Sequence, residues 1–125
     1  MRAAAFVLGL ALIGSAAAAA DPADLVGEWT VDLRPTPDAP AYYQPMTFVE
    51  KDGSIVATFY GSSGLELRFN AEFGALHFAF VTRDRSGPYN HSGVLLPDGT
   101  ITGRTHSIGR DFLSVWTARR ADATE

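Results

Sequence analysis

From residue 27 to residue 119 hydrophobic and polar positions alternate with a period of two, interrupted at short intervals by turn-forming residues. Trp29, Val31 and Leu33 alternate with Glu28, Thr30 and Asp32. Leu65, Leu67 and Phe69 alternate with Glu66, Arg68 and Asn70. Leu76, Phe78, Phe80 and Thr82 point one way, and His77, Ala79 and Val81 the other. A side chain pattern of period two is that of a half-buried strand. Strands are predicted over 28–33, 46–50, 54–60, 65–70, 76–82, 89–96, 100–106 and 112–119. The breaks between them carry turn chemistry: Lys51-Asp52-Gly53, the stretch from Gly61 to Gly64, Glu72-Phe73-Gly74, the polar run from Arg83 to Pro88, Pro97-Asp98-Gly99, and the run from Ser107 to Asp111. Residues 34–45 contain four prolines and are predicted to be an extended loop, because proline lacks the N–H that a ladder or helix needs.

About eight short strands at this spacing predict an all-β fold. Consecutive hairpins favour an up-and-down antiparallel meander, since sequence neighbours tend to be sheet neighbours. Closing the sheet into a barrel removes its exposed edges. The residues expected to face inward are Trp29, Val31, Leu33, Met46, Phe48, Ile55, Phe59, Leu65, Leu67, Phe69, Leu76, Phe78, Phe80, Ile101 and Trp116. An eight-stranded barrel is just wide enough to be filled by its own side chains. So many large aromatics predict a filled interior, with any pocket shallow and at one mouth.

The first twenty residues carry a separate signal. Arg2 precedes an apolar run from Ala3 to Ile13, and small residues follow, ending Ala18-Ala19-Ala20. This order is that of a cleaved export signal, with Asp21 as the mature start. The apolar run is shorter than the ~20 residues a spanning helix needs, so no stable membrane insertion is expected after cleavage. The expected organisation is a signal peptide over 1–20, a barrel over 21–120 and a frayed tail over 121–125. A periplasmic or secreted location follows from the signal.

Charge and cysteine content narrow the partners. Ten Lys and Arg, less Arg2, leave nine against fourteen Asp and Glu, a net charge of −5 for residues 21–125. An acidic chain without a Lys/Arg cluster argues against nucleic acid. There is no cysteine, so an exported fold must be held without disulfides and thiol chemistry is excluded.

Gly27-Glu28-Trp29 in the first strand and Arg119 in the last resemble the bracket of calycin-type barrels: lipocalins, fatty-acid-binding proteins and avidin-like proteins. That resemblance implies structural roles for Gly27, Trp29 and Arg119, with the Trp across the closed barrel end and the Arg over its indole. It also implies a small hydrophobic or aromatic ligand. Leu25-Val26-Gly27-Glu28-Trp29 behind the short arm Asp21 to Asp24 is similar to small periplasmic inhibitors of bacterial alkaline metalloproteases. That second resemblance implies a secreted protease as partner, bound through a free arm.

Catalytic signals are weak. No serine sits in a nucleophile-elbow context, and the scattered histidines have no metal-ligand spacing. No catalytic residue, metal or cofactor is therefore assigned, and a barrel enzyme acting on a small molecule is the third reading. The densest chemistry lies between Arg83 and His91. The expected ligand site is a barrel mouth lined by Tyr42, Tyr43, Tyr60, Tyr89, His91, Arg104, His106 and Arg110. Tyr89 and His91 share one strand face, as do Arg104 and His106, and a tight hairpin at Pro97-Asp98-Gly99 would make the two pairs neighbours. An outward polar ladder is the alternative for the same residues.

Overall fold

In a computed structural model, which describes residues 21–121, the chain forms nine antiparallel strands. They are β1 (Gly27–Asp32), β2 (Tyr43–Lys51), β3 (Ser54–Phe59), β4 (Ser62–Ser63), β5 (Leu65–Asn70), β6 (Leu76–Asp84), β7 (Gly87–Leu95), β8 (Ile101–Ser107) and β9 (Phe112–Arg120). The expected export signal over 1–20 and the tail from residue 122 lie outside the described residues.

The sheet order β4-β3-β2-β1-β9-β8-β7-β6-β5 is an up-and-down meander closed by the β1–β9 pair. The two outermost strands, β4 and β5, are consecutive in the chain. Gly64 between them donates its N–H to the Ala57 carbonyl at 2.7 Å, so the barrel is nearly closed. Half-buried Ile55, Leu67 and Phe69 pack against the core along the remaining seam. The ninth strand is the two-residue β4, in the stretch expected to be only a turn. Strand β2 also begins earlier than expected and takes in Pro45. Proline costs that strand one donor, but the Pro45 carbonyl still accepts from the Tyr60 N–H at 3.1 Å.

The core is Trp29, Val31, Met46, Phe48, Ala57, Phe59, Leu76, Phe78, Phe80, Ile101, Trp116 and Ala118, with Leu25 beneath it. Ring packing is mostly edge-on: Phe48 meets Phe78 at 5.3 Å and 79°, and Phe59 meets Trp116 at 5.8 Å and 61°. Gly93 and Gly103 face each other across β7 and β8. A β-carbon at Gly103 would overlap the Trp116 ring, and one at Gly93 would overlap Phe78. These glycines are the space that the large rings occupy. Leu65, expected inside, is 43% exposed. A bulge between Leu65 and Arg68, with Glu66 at φ 56°, inserts one residue and breaks the alternation, so that Leu67 faces inward and Leu65 does not.

One end is sealed. Pro22–Leu25 is a 3-10 helix with a reciprocal capping box: the Asp21 carboxylate accepts from the Ala23 N–H, and the Asp24 carboxylate from the Asp21 N–H. Leu25 plugs the interior, and its carbonyl accepts the Trp29 indole N–H at 2.9 Å. The cation over that indole is Arg120, with its guanidinium carbon 4.2 Å from the ring centroid. Arg119, expected there, pairs with Thr30 and is exposed. Strand parity is the reason: Trp116, Ala118 and Arg120 share the inward face. Arg120 also donates to the Val26 carbonyl at 2.8 Å and to the Asp24 carbonyl. Gly27 stands at φ 134°, and a β-carbon there would meet the Arg120 guanidinium.

Candidate functional site

The opposite end is built differently, and the difference arises in four strands. Across β6, β7, β8 and β9 the inward residues form cross-strand rows. Nearest the sealed end the row is Leu76, Leu95, Ile101 and Ala118. Next come Phe78, Gly93, Gly103 and Trp116, then Phe80, His91, Thr105 and Ser114. The last row is Thr82, Tyr89, Ser107 and Phe112. Polarity therefore rises along the barrel axis toward one mouth. The buried polar side chains Thr82, His91, Thr105 and Ser107 all belong to the two rows nearest that mouth.

His91 is the centre of this wall and is only 5% exposed. Its Nε2 lies 2.8 Å from Thr82 Oγ1 and its Nδ1 2.8 Å from Thr105 Oγ1. The Trp116 indole N–H donates to the same Thr105 oxygen at 2.9 Å. Donation from Trp116 to Thr105, from Thr105 to His91 Nδ1, and from His91 Nε2–H to Thr82 gives each link one proton. The reverse tautomer, with His91 Nδ1–H donating to Thr105 and the Thr82 hydroxyl donating to His91 Nε2, satisfies the same bonds. The imidazole packs against Phe59 and Phe80, with centroids at 4.8 and 4.9 Å. Burial without a carboxylate partner pushes its pKa down to about 4, so it is neutral at physiological pH.

Aromatic rings rim the opening above. Tyr42 and Tyr60 meet edge-on at 6.2 Å with their hydroxyls in hydrogen-bond contact. That bond, ahead of burial, holds the Tyr60 phenol above its usual pKa. Tyr60 is the first of two residues, with Gly61, that connect β3 to β4 at φ 57° and 81°. Such two-residue turns favour Asn or Gly at the first position, and a tyrosine in left-handed backbone is strained there. Tyr89 donates to Asp84 Oδ2 at 2.8 Å and packs on Phe112 at 6.4 Å. Arg110 lies over the other partner of that stack, 5.1 Å from the Phe112 centroid. The tips of two hairpins touch here, since a β-carbon on Gly109 would run into the Ser86 carbonyl.

The structure thus divides the expected site residues. Tyr42, Tyr60, Tyr89 and Arg110 gather at the mouth, with His91 buried beneath them. Tyr43 lies on the outer face of β2, 53% exposed. Arg104 and His106 also point outward. The five residues 96–100 between β7 and β8 pair Tyr89 with Ser107 and His91 with Thr105, which leaves Arg104 opposite Ser92 and His106 opposite Asn90 on the outer face. Tyr89, His91, Arg104 and His106 therefore do not converge. Thr105, Ser107, Phe112 and Asp84 join the mouth instead. Strand parity alone would have found Thr105 and Ser107, which alternate with the polar outer positions of β8. Among the described residues, no group of three or more His, Asp or Glu side chains could hold a metal ion. The arm Asp21 to Asp24 is docked on the sealed end rather than free.

No family model, curated protein or solved structure matches this chain. The architecture is compatible with a calycin-like fold.

Proposed function

We propose that this chain is an exported, non-catalytic binding barrel that takes a small hydroxylated aromatic molecule at its tyrosine-rimmed mouth. The observation that carries the reading is the axial gradient: one barrel end is sealed by Leu25, Trp29 and Arg120, while the interior's hydrogen-bonding side chains collect under the other. Large rings fill the middle of the barrel, which favours a shallow site over a deep lipid cavity. At the rim, Tyr42, Tyr60 and Phe112 offer ring faces, Asp84 accepts a hydroxyl proton, and Arg110 suits a phenolate. Strain retained at Tyr60 fits a residue kept for its side chain.

The test uses 2-naphthol titrated into the isotope-labelled protein. The expected result is a saturable shift of the Tyr60, Tyr89 and Arg110 amide signals. Tyr60→Asn removes the ring and suits the turn, so binding should fall while folding stability rises by about 1 kcal/mol. No saturable shift at the mouth, or binding unaffected by Tyr60→Asn, would overturn the reading.

A further inference from the structure

A surface depression lies outside the barrel, on the outer face of the sheet. Outward residues of β5 to β8 and the start of β9, together with Phe80 and His91, line an open groove of about 350 Å³. Ligand pockets begin at roughly this size. Its floor is made by short side chains, Ala79 on β6 and Ser92 on β7, which are directly paired. Arg104 and His106 of β8 form one wall, each standing directly opposite a polar neighbour on β7, Ser92 and Asn90 respectively. Glu66, on the β5 bulge, forms the other wall.

The charges of the two walls are not equally committed. Glu66 is ion-paired with Arg68 at 3.0 Å. Arg104 and His106 make no side-chain hydrogen bond or ion pair among the described residues. In a chain of net charge −4, this groove carries an uncompensated guanidinium beside an imidazole, a hydroxyl and an amide. Each of those groups is a hydrogen-bond donor that an anion could take, and guanidinium favours the planar, two-oxygen geometry of a carboxylate. Leu113 and Val81 supply apolar surface beside them. The Glu66 bulge has a second consequence, because bulges re-aim side chains next to functional sites. Here it places a left-handed, non-glycine residue on the groove wall.

We propose that this outer groove binds a small organic monocarboxylate, its carboxylate on Arg104, His106 and Ser92 and its compact apolar body against Ala79, Val81 and Leu113. The groove shares Phe80 and His91 with the wall beneath the mouth, but the proposed ligand contacts lie on the outer face of the sheet, so the site stands if the mouth binds nothing.

Cyclohexanecarboxylate is the probe, and cyclohexylmethanol is its uncharged counterpart. Titration into the isotope-labelled protein should give saturable shifts at Ser92, Arg104 and His106. Arg104→Gln should weaken binding roughly tenfold or more, the loss expected for a charge-assisted hydrogen bond. Ala79→Glu, which puts a negative charge on the floor, should do the same, while Arg119→Gln on another part of the surface should not. Equal binding of acid and alcohol overturns the proposal. So does binding that persists in both Arg104→Gln and Ala79→Glu, or shifts that appear only at Tyr60, Tyr89 and Arg110. Absence of any saturable shift overturns it as well.

Discussion

At the end where Trp29 lies, the interior is apolar, and its one indole N–H and one guanidinium are both spent on backbone carbonyls. At the end where Tyr89 lies, the interior holds a neutral histidine, two threonines and a serine under a rim of tyrosines. The sealed end satisfies each polar group locally and leaves it nothing further to do. The mouth end satisfies its buried groups through a Trp116–Thr105–His91–Thr82 chain of side chains, with Ser107 accepting from the Arg110 N–H. Buried polar networks are costly when any member is unpaired, so a barrel concerned only with stability would have filled both ends alike. The contrast is what supports our proposal that recognition is concentrated at the mouth.

The contrast can be broken most severely at the sealed end. Trp29→Ala removes a fully buried indole together with its bond to Leu25 and its contact with Arg120, and should cost about 3–5 kcal/mol. Denaturant unfolding measures this directly, and a near-neutral midpoint would mean that Trp29 does not seal the barrel.

The mouth end has a pH signature of its own. The pKa of His91 is about 4 when folded and about 6.5 when unfolded. The unfolded chain therefore takes up the proton first as pH falls. Stability is fully present above about pH 6.5, is lost between there and pH 4, and levels off below; the total is on the order of 3 kcal/mol. Asp32, held below the usual carboxylate range chiefly by its hydrogen bond to Arg34, loses its share only as pH falls below about 4. His91→Gln should flatten the stability profile between pH 6.5 and 4, measured by urea unfolding at each pH. An unchanged slope would contradict the burial of this ring.

The smallest effect sharpens the parity argument. Arg120→Ala loses a cation–π contact and its bonds to Val26 and Asp24, and should cost about 1–2 kcal/mol. Arg119→Ala, one residue earlier and exposed, should stay within about 0.5 kcal/mol. Equal effects would erase the distinction between the two arginines.

Alternation and turn residues were enough to read the meander from residue 27 onward, because each strand's period of two is local chemistry. Asp52-Gly53 was legible for the same reason: both residues adopt the positive φ that their turn requires. Three of the misplaced residues share one cause. Arg119 for Arg120, and Arg104 and His106 for Thr105 and Ser107, each miss by a single position. A one-residue slip moves a side chain to the other face of the sheet.

The sequence by itself determined the all-β meander, the filled aromatic interior and the importance of Trp29, since burial of large apolar residues at alternate positions admits few other solutions. Only the tertiary structure decided which residues face each other. The five-residue connection between β7 and β8 sets cross-strand register, and the Leu65/Arg68 bulge resets it on β5. Closure at Gly64 then brings together side chains distant along the chain. Register depends on hydrogen bonds between strands, and faces depend on register. A polar residue's place in the buried His91 chain or on the outer wall is therefore a property of the closed sheet.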